Sequence, residues 1–260
     1  MKLRLHLARL RLLSWGITAT PLREGEYDTE IEGAPIRLSH SGFNTKWLAQ
    51  LNIQPKVVLE LGSFDGGDAL RFARAFPKAR IVTVEADPVR VGVVSKNLAH
   101  THAEVVNNAV CLQDGPINWY TSKIDGKVDG QGSLYQHSDE YKEKFPHIIQ
   151  NDECVTVNGL SFENLCDANN ISNIDFMHMD IEGAEYDAIL SMGSHRPKLI
   201  FMEMLPNYFE KVEGVKAIEK LLVSFGYTLV ARLSQDRLYI HKPWNADDEN
   251  REDRDWQYIF

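Results

Sequence analysis

Short apolar runs alternate with amphipathic helical patterns through the middle of the chain, and this alternation limits the fold more than any other feature. The first two runs are KVVLELGSF (56–64) and RIVTVEAD (80–87), and a segment with helical spacing follows each of them. Strands that alternate with helices form a parallel sheet with crossover helices, and such strands are apolar throughout because both faces are buried. The sequence therefore predicts an α/β fold.

The same alternation continues to residue 226, and the chain then closes with two further strands. The predicted strands are 56–64, 80–87, 103–112, 173–181, 197–205, 227–233 and 237–242. The predicted helices are 45–52, 66–77, 88–100, 161–171, 183–193 and 214–226. Only SQD (234–236) separates the last two strands. So short a link allows antiparallel pairing and is too short for a parallel crossover.

Length and charge narrow the class of protein. A chain of 260 residues can bury the core of one full domain. Its formal net charge of −9 argues against nonspecific nucleic-acid binding, whose affinity comes mainly from neutralising phosphates. The three cysteines, Cys111, Cys154 and Cys166, form neither a CxxC pair nor an even disulfide framework. Idle thiols in a reducing cytoplasm are the simplest interpretation.

Two terminal segments differ in composition from the middle of the chain. Residues 1–54 begin with a basic, leucine-containing stretch whose apolar positions are too interrupted for a signal peptide. Leu3, Leu7 and Leu10 make an apolar stripe, which favours a helix docked on its own domain over peripheral contact with an anionic membrane. Residues 243–260 form an acidic tail that ends in aromatic residues. The domain proper is therefore expected within residues 55–242.

The alternation breaks between residues 113 and 151, where glycine and polar residues dominate. Long irregular stretches inside compact domains are usually lids or binding loops. We therefore expect this insertion to cover a bound acceptor substrate and to exclude water from it. Tyr135, His137 and Tyr141 are its predicted substrate contacts.

A glycine-rich turn follows the first strand, in the sequence ELGSFDGG. Glycines at the carboxyl end of a strand let a ligand approach the backbone closely. Glu85 lies nineteen residues after Gly66, at the end of the second strand. A carboxylate at that place can accept hydrogen bonds from both ribose hydroxyls of an adenosine cofactor. Turn and acid together predict a nucleoside site.

Two acids distinguish this turn from a dinucleotide site. A dinucleotide site prefers G-x-G-x-x-G, because the pyrophosphate lies against the N-terminus of the helix. Here the spacing is G-x-x-x-G, with Glu60 before it and Asp65 inside it. Carboxylates suit a ligand that bears a sulfonium and an ammonium better than a pyrophosphate. A nicotinamide-dependent oxidoreductase remains the alternative enzyme.

These residues resemble the FkbM family of S-adenosylmethionine-dependent methyltransferases. The resemblance covers residues 55–242 and is carried by LELGSFDGG, VTVEAD, NNAV and above all IDFMHMDIEGAEYDAIL. It implies a Rossmann-like class I methyltransferase fold: a seven-stranded, mostly parallel sheet with an antiparallel last strand and helices on both faces. Members methylate hydroxyls, typically on macrolides or on sugars of glycans. Two positions depart from the family pattern, with His178 in place of Lys and Ser161 in place of Asp.

The resemblance also implies a set of cofactor contacts. Residues of the glycine turn would line the methionine part, Glu85 with Ala86 would hold the ribose, and the end of the third strand would face the adenine. The predicted cofactor-binding residues are Glu60, Gly62, Ser63, Asp65, Gly66, Glu85, Ala86, Asn108, Ala109 and Asp180.

The acidic sequence MDIEGAEYD (179–187) follows the fourth strand, at the edge where ligands bind in open α/β sheets. Asp180 and Glu182 are two residues apart, so in an extended strand they share a face, with His178 one step deeper. These three are the predicted catalytic residues, because a carboxylate or imidazole base speeds methylation of a hydroxyl by ~10²–10⁴-fold. Glu185 and Asp187 fall in the first turn of the next helix, where the helix dipole favours acids.

A divalent metal is a second way to activate the hydroxyl. Asp180 and Glu203 end adjacent predicted strands and could supply oxygen ligands to magnesium or manganese. We rank the carboxylate base ahead of this metal route.

The functional hypothesis is an S-adenosylmethionine-dependent O-methyltransferase that acts on a hydroxyl of a sugar, a glycan or a polyketide-type small molecule. An NAD(P)-dependent oxidoreductase of Rossmann type and a non-catalytic binding module are the alternatives. Binding of S-adenosylhomocysteine against NAD separates the two enzymes, and turnover of labelled cofactor excludes the binding module.

Overall fold

A computed structural model describes residues 27–31, 34–151 and 153–242, with side chains described from residue 38 onward. The predicted basic N-terminal helix and acidic C-terminal tail lie outside these residues. Within the described part of the chain, no helix is long and apolar enough to cross a membrane. All three cysteines are free thiols, as predicted.

The described chain alternates strands and helices, with several additional short strands in its middle. The strands are β1 Tyr27–Ile31, β2 Ala34–Leu38, β3 Val57–Leu61, β4 Arg80–Glu85, β5 Glu104–Asn107, β6 Ala109–Val110, β7 Gly115–Trp119, β8 Ser122–Ile124, β9 Lys127–Val128, β10 Ile148–Gln150, β11 Val155–Leu160, β12 Phe176–Met179, β13 Leu199–Glu203, β14 Tyr227–Leu233 and β15 Asp236–His241. The helices are α1 Lys46–Gln50, α2 Gly67–Ala75, α3 Pro88–Asn97, α4 Asp139–Lys144, α5 Phe162–Ala168, α6 Glu185–Leu190 and α7 Val215–Ser224, and Pro206–Tyr208 is a 3₁₀ turn.

Seven strands form the main sheet in the order β14-β15-β13-β12-β3-β4-β5. Strand β15 pairs antiparallel with both β13 and β14, and the other neighbours pair parallel. The predicted seven-stranded, mostly parallel sheet with an antiparallel last strand is therefore confirmed. The two-residue link between β14 and β15 forces this antiparallel placement, because no crossover fits into it.

Helices cover both faces of the sheet because each central strand is apolar on both sides. Phe176 of β12 packs with α1 and α2 on one face, while Met177 and Met179 pack with α5, α6 and α7 on the other. Phe43 and Trp47 lie in the first of these two clusters, so the segment before β3 packs directly on the sheet. Burial on both faces is what a parallel sheet requires.

The third and fourth predicted strands are shortened more than the others in the structure. The third ends at Asn107, and the following Ala109–Val110 pairs with β11 in a separate three-stranded sheet with β7. The fourth ends at Met179 rather than residue 181. In both places apolar residues continue after the last residue that pairs in the main sheet. They are apolar because they are packed against other parts of the protein.

The stretch from residue 113 to 151 is an ordered insertion rather than an irregular loop. It contains β7, β8, β9, α4 and β10, and β8 forms a small antiparallel sheet with β9 and β10. Strands of two or three residues give too short an alternation to be recognised in a sequence. The insertion lies over the carboxyl edge of the main sheet, where Ser133 Oγ donates a hydrogen bond to the carbonyl of Glu182.

Candidate active site

A cavity of about 320 Å³ opens at the carboxyl edge of the main sheet. The ends of β3, β4 and β12 form its floor, and part of the insertion forms its roof. This volume lies at the lower end of the range of small-molecule sites, ~300–1,000 Å³. Seven of the residues predicted from the sequence line it: Gly62, Glu85, Ala86, Asn108, Ala109, Asp180 and Glu182.

Gly62 brings the first turn against the end of β12. Its φ is +86°, and a Cβ on it would lie 1.7 Å from the carbonyl oxygen of Asp180. Only glycine allows both this left-handed conformation and this approach. Gly62 thereby fixes where the backbone of Asp180 lies, in addition to lining the cavity.

Phe64 of the same turn also lines the cavity, whereas Ser63, Asp65 and Gly66 do not. Asp65 accepts hydrogen bonds from the backbone N–H of Ser39 at 2.8 Å and of Gly67 at 3.0 Å. Gly66, with φ +85°, lets the chain enter α2. Ser63 is buried, and its Oγ has no hydrogen-bond partner. Asp65 and Gly66 thus shape the turn, and their predicted role as cofactor contacts stays a prediction.

Glu85 points its carboxylate at the turn and also lines the cavity. Its two oxygens accept hydrogen bonds from the backbone N–H of Phe64 and of Asp87, each at 2.9 Å. Burial, only partly offset by these bonds, raises the pKa of Glu85 to about 7. Each carboxylate oxygen keeps a free lone pair. The site can therefore still accept the two ribose hydroxyls that the sequence assigned to it.

Asn108 and Ala109 line the cavity beyond β4, together with Val110 and Trp119. The Asn108 side chain donates a hydrogen bond to the carbonyl of Asn158 at 3.2 Å, which joins this wall to β11. Aromatic and aliphatic side chains around a few fixed polar groups are typical of sites for a purine-containing ligand.

Asp180 and Glu182 line the cavity at the end of β12, and Glu203 lies beside them at the end of β13. Single oxygen atoms of these three carboxylates lie within 4.8 Å of one another. The parallel register places Met179 beside Met202, which brings the acids that follow each residue to the same level. The predicted proximity of Asp180 and Glu203 is therefore present.

Glu182 reaches this cluster by a different route from the predicted one. Strand β12 has already ended, and Glu182 has φ +52°, in the left-handed region. The expectation that an extended strand puts Asp180 and Glu182 on one face was wrong. A turn returns Glu182 to the cavity, and such conformations in residues other than glycine are concentrated at functional sites.

Burial raises the pKa of all three acids. For Glu203 burial, followed by the charges of Asp180 and Asp236, raises the pKa to about 9. The pKa of Glu182 is also well above its usual value, first through burial and then through Asp180 and Glu203. For Asp180, burial raises the pKa against the opposing effect of His178. Burial and mutual repulsion therefore favour the protonated forms of these acids in the absence of a cation.

Glu60 and His178 lie beneath the cavity instead of lining it. Both are buried, at 1% and 4% exposure, and His178 Nδ1 lies 3.6 Å from a Glu60 oxygen. Thr83 donates a hydrogen bond to Glu60, and the His178 ring stacks on Phe201. The structure therefore places Glu60 and His178 below the lining of the cavity, and their predicted contacts with cofactor and acceptor stay predictions.

Asp68 and Arg71 complete this buried group. Arg71 forms an ion pair with Asp68 and donates a hydrogen bond to the Phe43 carbonyl at 2.6 Å. Burial alone lowers the pKa of His178, but Asp68 and Glu60 outweigh burial and raise it to about 9. The imidazole is then charged at neutral pH, and two cations face two carboxylates. The sequence analysis missed this pair, although opposite charges three apart on an otherwise apolar helix face are a usable signal.

Glu185 and Asp187 lie in the first turn of α6, as predicted. Glu185 is 3% exposed, and its Oε1 accepts hydrogen bonds from the backbone N–H of Ile181 and Gly183. It thus closes the turn that carries Glu182. Asp187 accepts a hydrogen bond from the hydroxyl of Tyr135 and ties the insertion to α6.

The roof of the cavity is formed by Asp129, Gly130, Gln131, Gly132 and Leu134. Arg90 of α3 holds this roof, donating hydrogen bonds to the carbonyls of Val128 and of Asp129, the latter at 3.1 Å. Its guanidinium also lies 4.4 Å from the centre of the Phe64 ring. Sequence analysis missed Arg90, because its partners are remote in sequence.

The three predicted substrate contacts of the insertion have packing roles instead. His137 is fully buried and Tyr141 is 2% exposed, and their rings lie 4.2 Å apart. The Tyr135 hydroxyl is occupied by Asp187. None of the three lines the cavity. The structure thus corrects this prediction: the insertion roofs the site with neighbouring residues of the same segment.

Comparison with known proteins identifies the domain. The family model of the methyltransferase FkbM domain matches residues 54–229, more than half of the chain. The chain belongs to the FkbM methyltransferase family. As a member it uses S-adenosylmethionine, and the match favours the methyltransferase over the NAD(P)-dependent oxidoreductase.

Individual relatives of this FkbM methyltransferase include the 2-O-methyltransferase NoeI of Sinorhizobium fredii. NoeI is 29% identical over 179 residues, covering 65% of this chain and 72% of NoeI. An O-methyltransferase from Bacillus cereus in complex with SAH is 14% identical with a TM-score of 0.40, covering 72% and 74% of the two chains. Methyltransferase FkbM from Methylobacillus flagellatus is 12% identical with a TM-score of 0.39, covering 72% and 44%.

The cavity fits the cofactor of this family. Glu85 supplies the acceptor for ribose hydroxyls, and Asn108, Ala109 and Trp119 wall the part where the purine would lie. Asp180 has an oxygen, Oδ1, that is buried without a hydrogen-bond partner. An unpaired buried carboxylate oxygen is costly, and a cationic ligand beside it removes that cost.

Proposed function

We propose that this methyltransferase transfers a methyl group to a hydroxyl of a sugar, a glycan or a polyketide-type small molecule, with Asp180 as the base. When bound, S-adenosylmethionine supplies a methyl group activated by its sulfonium. The acceptor oxygen forms the new C–O bond, the C–S bond breaks with its electron pair on sulfur, and the hydroxyl proton passes to Asp180.

One observation carries this proposal: two acids, Asp180 and Glu182, line the same cavity as Glu85. The acids and the predicted ribose acceptor therefore belong to one site. A hydroxyl is a poor nucleophile, so a carboxylate beside it contributes more than it would to a thiol or an amine acceptor.

The raised pKa of Asp180 strengthens it as a base. A base with a higher pKa pulls more strongly on the proton that it accepts. The negative charge of Asp180 in turn raises the pKa of Glu182. His178, buried below, opposes the rise at Asp180 through its charge.

The acceptor class is supported by similarity to NoeI, whose name describes a 2-O-methyltransferase. The roof leaves the acids at the side of the cavity, and all three acids are partly exposed to solvent. An acceptor larger than the cavity can therefore present one hydroxyl to them while the rest of the molecule stays outside. A glycan or a polyketide meets that requirement.

The test is transfer from labelled S-adenosylmethionine to a panel of nucleotide sugars, glycan fragments and polyketides, read by mass spectrometry. Asp180→Asn keeps the shape of the side chain and removes its basicity, so turnover should fall by ~10²-fold or more. Calorimetric affinity for S-adenosylhomocysteine should stay within a few-fold.

The matched control is Asp139→Asn, the same chemical change at an exposed position of α4. It should leave turnover unchanged. Wild-type turnover in Asp180→Asn would mean that the acid cluster has no part in the chemistry.

A further inference from the structure

Asp180 and Glu182 line the cavity and Glu203 lies beside them, and these three acids form a cluster without a basic partner. Their oxygens lie within 4.8 Å of one another. Among the residues that the structure describes, no lysine or arginine forms an ion pair with any of them. Like charges at this spacing repel, so an arrangement of this kind is costly unless a cation joins it.

The buried group beneath the cavity shows how the same fold treats acids that need no ligand. Glu60 and Asp68 are balanced there by Arg71 and His178, and Ser41 also donates its backbone N–H to Asp68 at 2.6 Å. The charges of that group are balanced by side chains of the protein itself. The cluster at the cavity lacks a counterpart to Arg71.

Two buried carboxylate oxygens, one of them in this cluster, accept no hydrogen bond. Asp180 Oδ1 is inaccessible to solvent and accepts no hydrogen bond. Glu185 is 97% buried, and its Oε2 likewise has no partner, although its Oε1 accepts two. Its charge contributes to the raised pKa of Glu203. Buried carboxylate oxygens without donors are rare in proteins and call for a specific explanation.

We propose that Asp180, Glu182 and Glu203 bind a divalent cation of the magnesium or manganese class. Carboxylate oxygens are the ligands that such hard cations prefer, and Mg²⁺ usually keeps several positions for water or substrate. All three acids are partly exposed at the cavity, so a cation can reach them. Glu185 does not ligate the cation but holds the turn of Ile181 and Gly183 that carries Glu182.

The role of the cation rests on the proposed function, although its binding does not. Coordination to the cation lowers the pKa of the acceptor hydroxyl and orients it. Bond making and breaking stay as described above, and the proton passes to a carboxylate oxygen that is not bound to the cation. One carboxylate oxygen of Asp180 can bind the cation while the other accepts the proton.

Binding is tested without turnover, on the full-length protein stripped by chelation. Mn²⁺ alone is titrated and followed by electron paramagnetic resonance, with Mg²⁺ competing. Glu203→Gln should weaken the tightest Mn²⁺ site at least tenfold while S-adenosylhomocysteine still binds, which shows that the variant is folded. Glu182→Gln is the second variant and should behave the same way.

The acidic C-terminal sequence could bind Mn²⁺ by itself, so the control is Asp247→Asn with Asp248→Asn. This control should keep the tight site. The proposal is overturned if wild type shows no such site, or if Glu203→Gln and Glu182→Gln both retain it. If the protein shows no Mn²⁺ site and methyl transfer continues in EDTA, the cation proposal is wrong and the proposed function stands.

Discussion

Gly62 offers the sharpest test of how this fold positions its acids. Replacing it with alanine puts a Cβ 1.7 Å from the carbonyl oxygen of Asp180 and 2.7 Å from its carbonyl carbon, whereas ordinary contact begins near 3.4 Å. Both neighbouring atoms belong to backbone, so no side chain can rotate away. Either the turn after β3 or the end of β12 has to move.

Two costs add in Gly62→Ala. A left-handed conformation costs a residue other than glycine ~1–2 kcal/mol, and overpacking in a closed site typically costs a further ~1–3 kcal/mol. The free energy of unfolding should therefore fall by ~2–5 kcal/mol. Gly126→Ala is the matched control: φ is +77° there, and nothing lies within 4 Å of an added Cβ. It should lose only the conformational part.

The assay is urea unfolding of both variants at one pH, together with methyl transfer under conditions where each is fully folded. Gly62→Ala should lose more stability than Gly126→Ala and should also lose turnover, because Asp180 is displaced. Equal losses of stability in the two variants would refute the close approach. Full activity in folded Gly62→Ala would show that the backbone at Asp180 tolerates displacement.

Three further predictions follow from other positions. Glu85 has a pKa of about 7 when folded and 4.5 as its ordinary value, so its folded form binds more protons between these pH values, and rising pH lowers stability there by about 3 kcal/mol; unfolding across pH should show a loss in Glu85→Gln that is smaller than the wild-type loss by about this amount, and an equal loss would contradict the raised pKa. Arg90→Leu should speed amide hydrogen exchange around Asp129 and release S-adenosylhomocysteine faster, and unchanged exchange would contradict its role in holding the roof. Gly92→Ala, inside α3 with open space around the added Cβ, should raise stability by ~0.5–1 kcal/mol in thermal unfolding, and a loss would mean the helix face is covered.

The main sheet could be predicted from the sequence because its strands are apolar on both faces and the helices between them are periodic. The SQD link decided the direction of β15 without any knowledge of its partners. Those features are local, because a short segment of the chain contains all the residues that determine them. The α/β class and the antiparallel last strand therefore followed from the pattern, and the seven-stranded sheet followed from the family resemblance.

The site was only partly predictable, since it depends on contacts between segments far apart in sequence. The spacing of Asp180 and Glu203 followed from adjacent strand ends, but the left-handed turn at Glu182 did not, because nothing in DIEGAE forces the strand to end at Met179. Glu60 looked like a ligand contact from its place before the turn, and its burial beside His178 depends on β12 lying next to β3. Arg90 reaches its carbonyl partners only because the insertion folds back over α3.

The most direct measurement of the central claim uses S-adenosylmethionine with a trideuteriomethyl group and an accepted glycan or polyketide. Product is located by mass spectrometry and NMR, for wild type and for Asp180→Asn. The account predicts the label on a hydroxyl oxygen in wild type and a loss of ~10²-fold or more in the variant, with cofactor affinity preserved. Label on nitrogen or carbon, or equal rates in the two proteins, would contradict it.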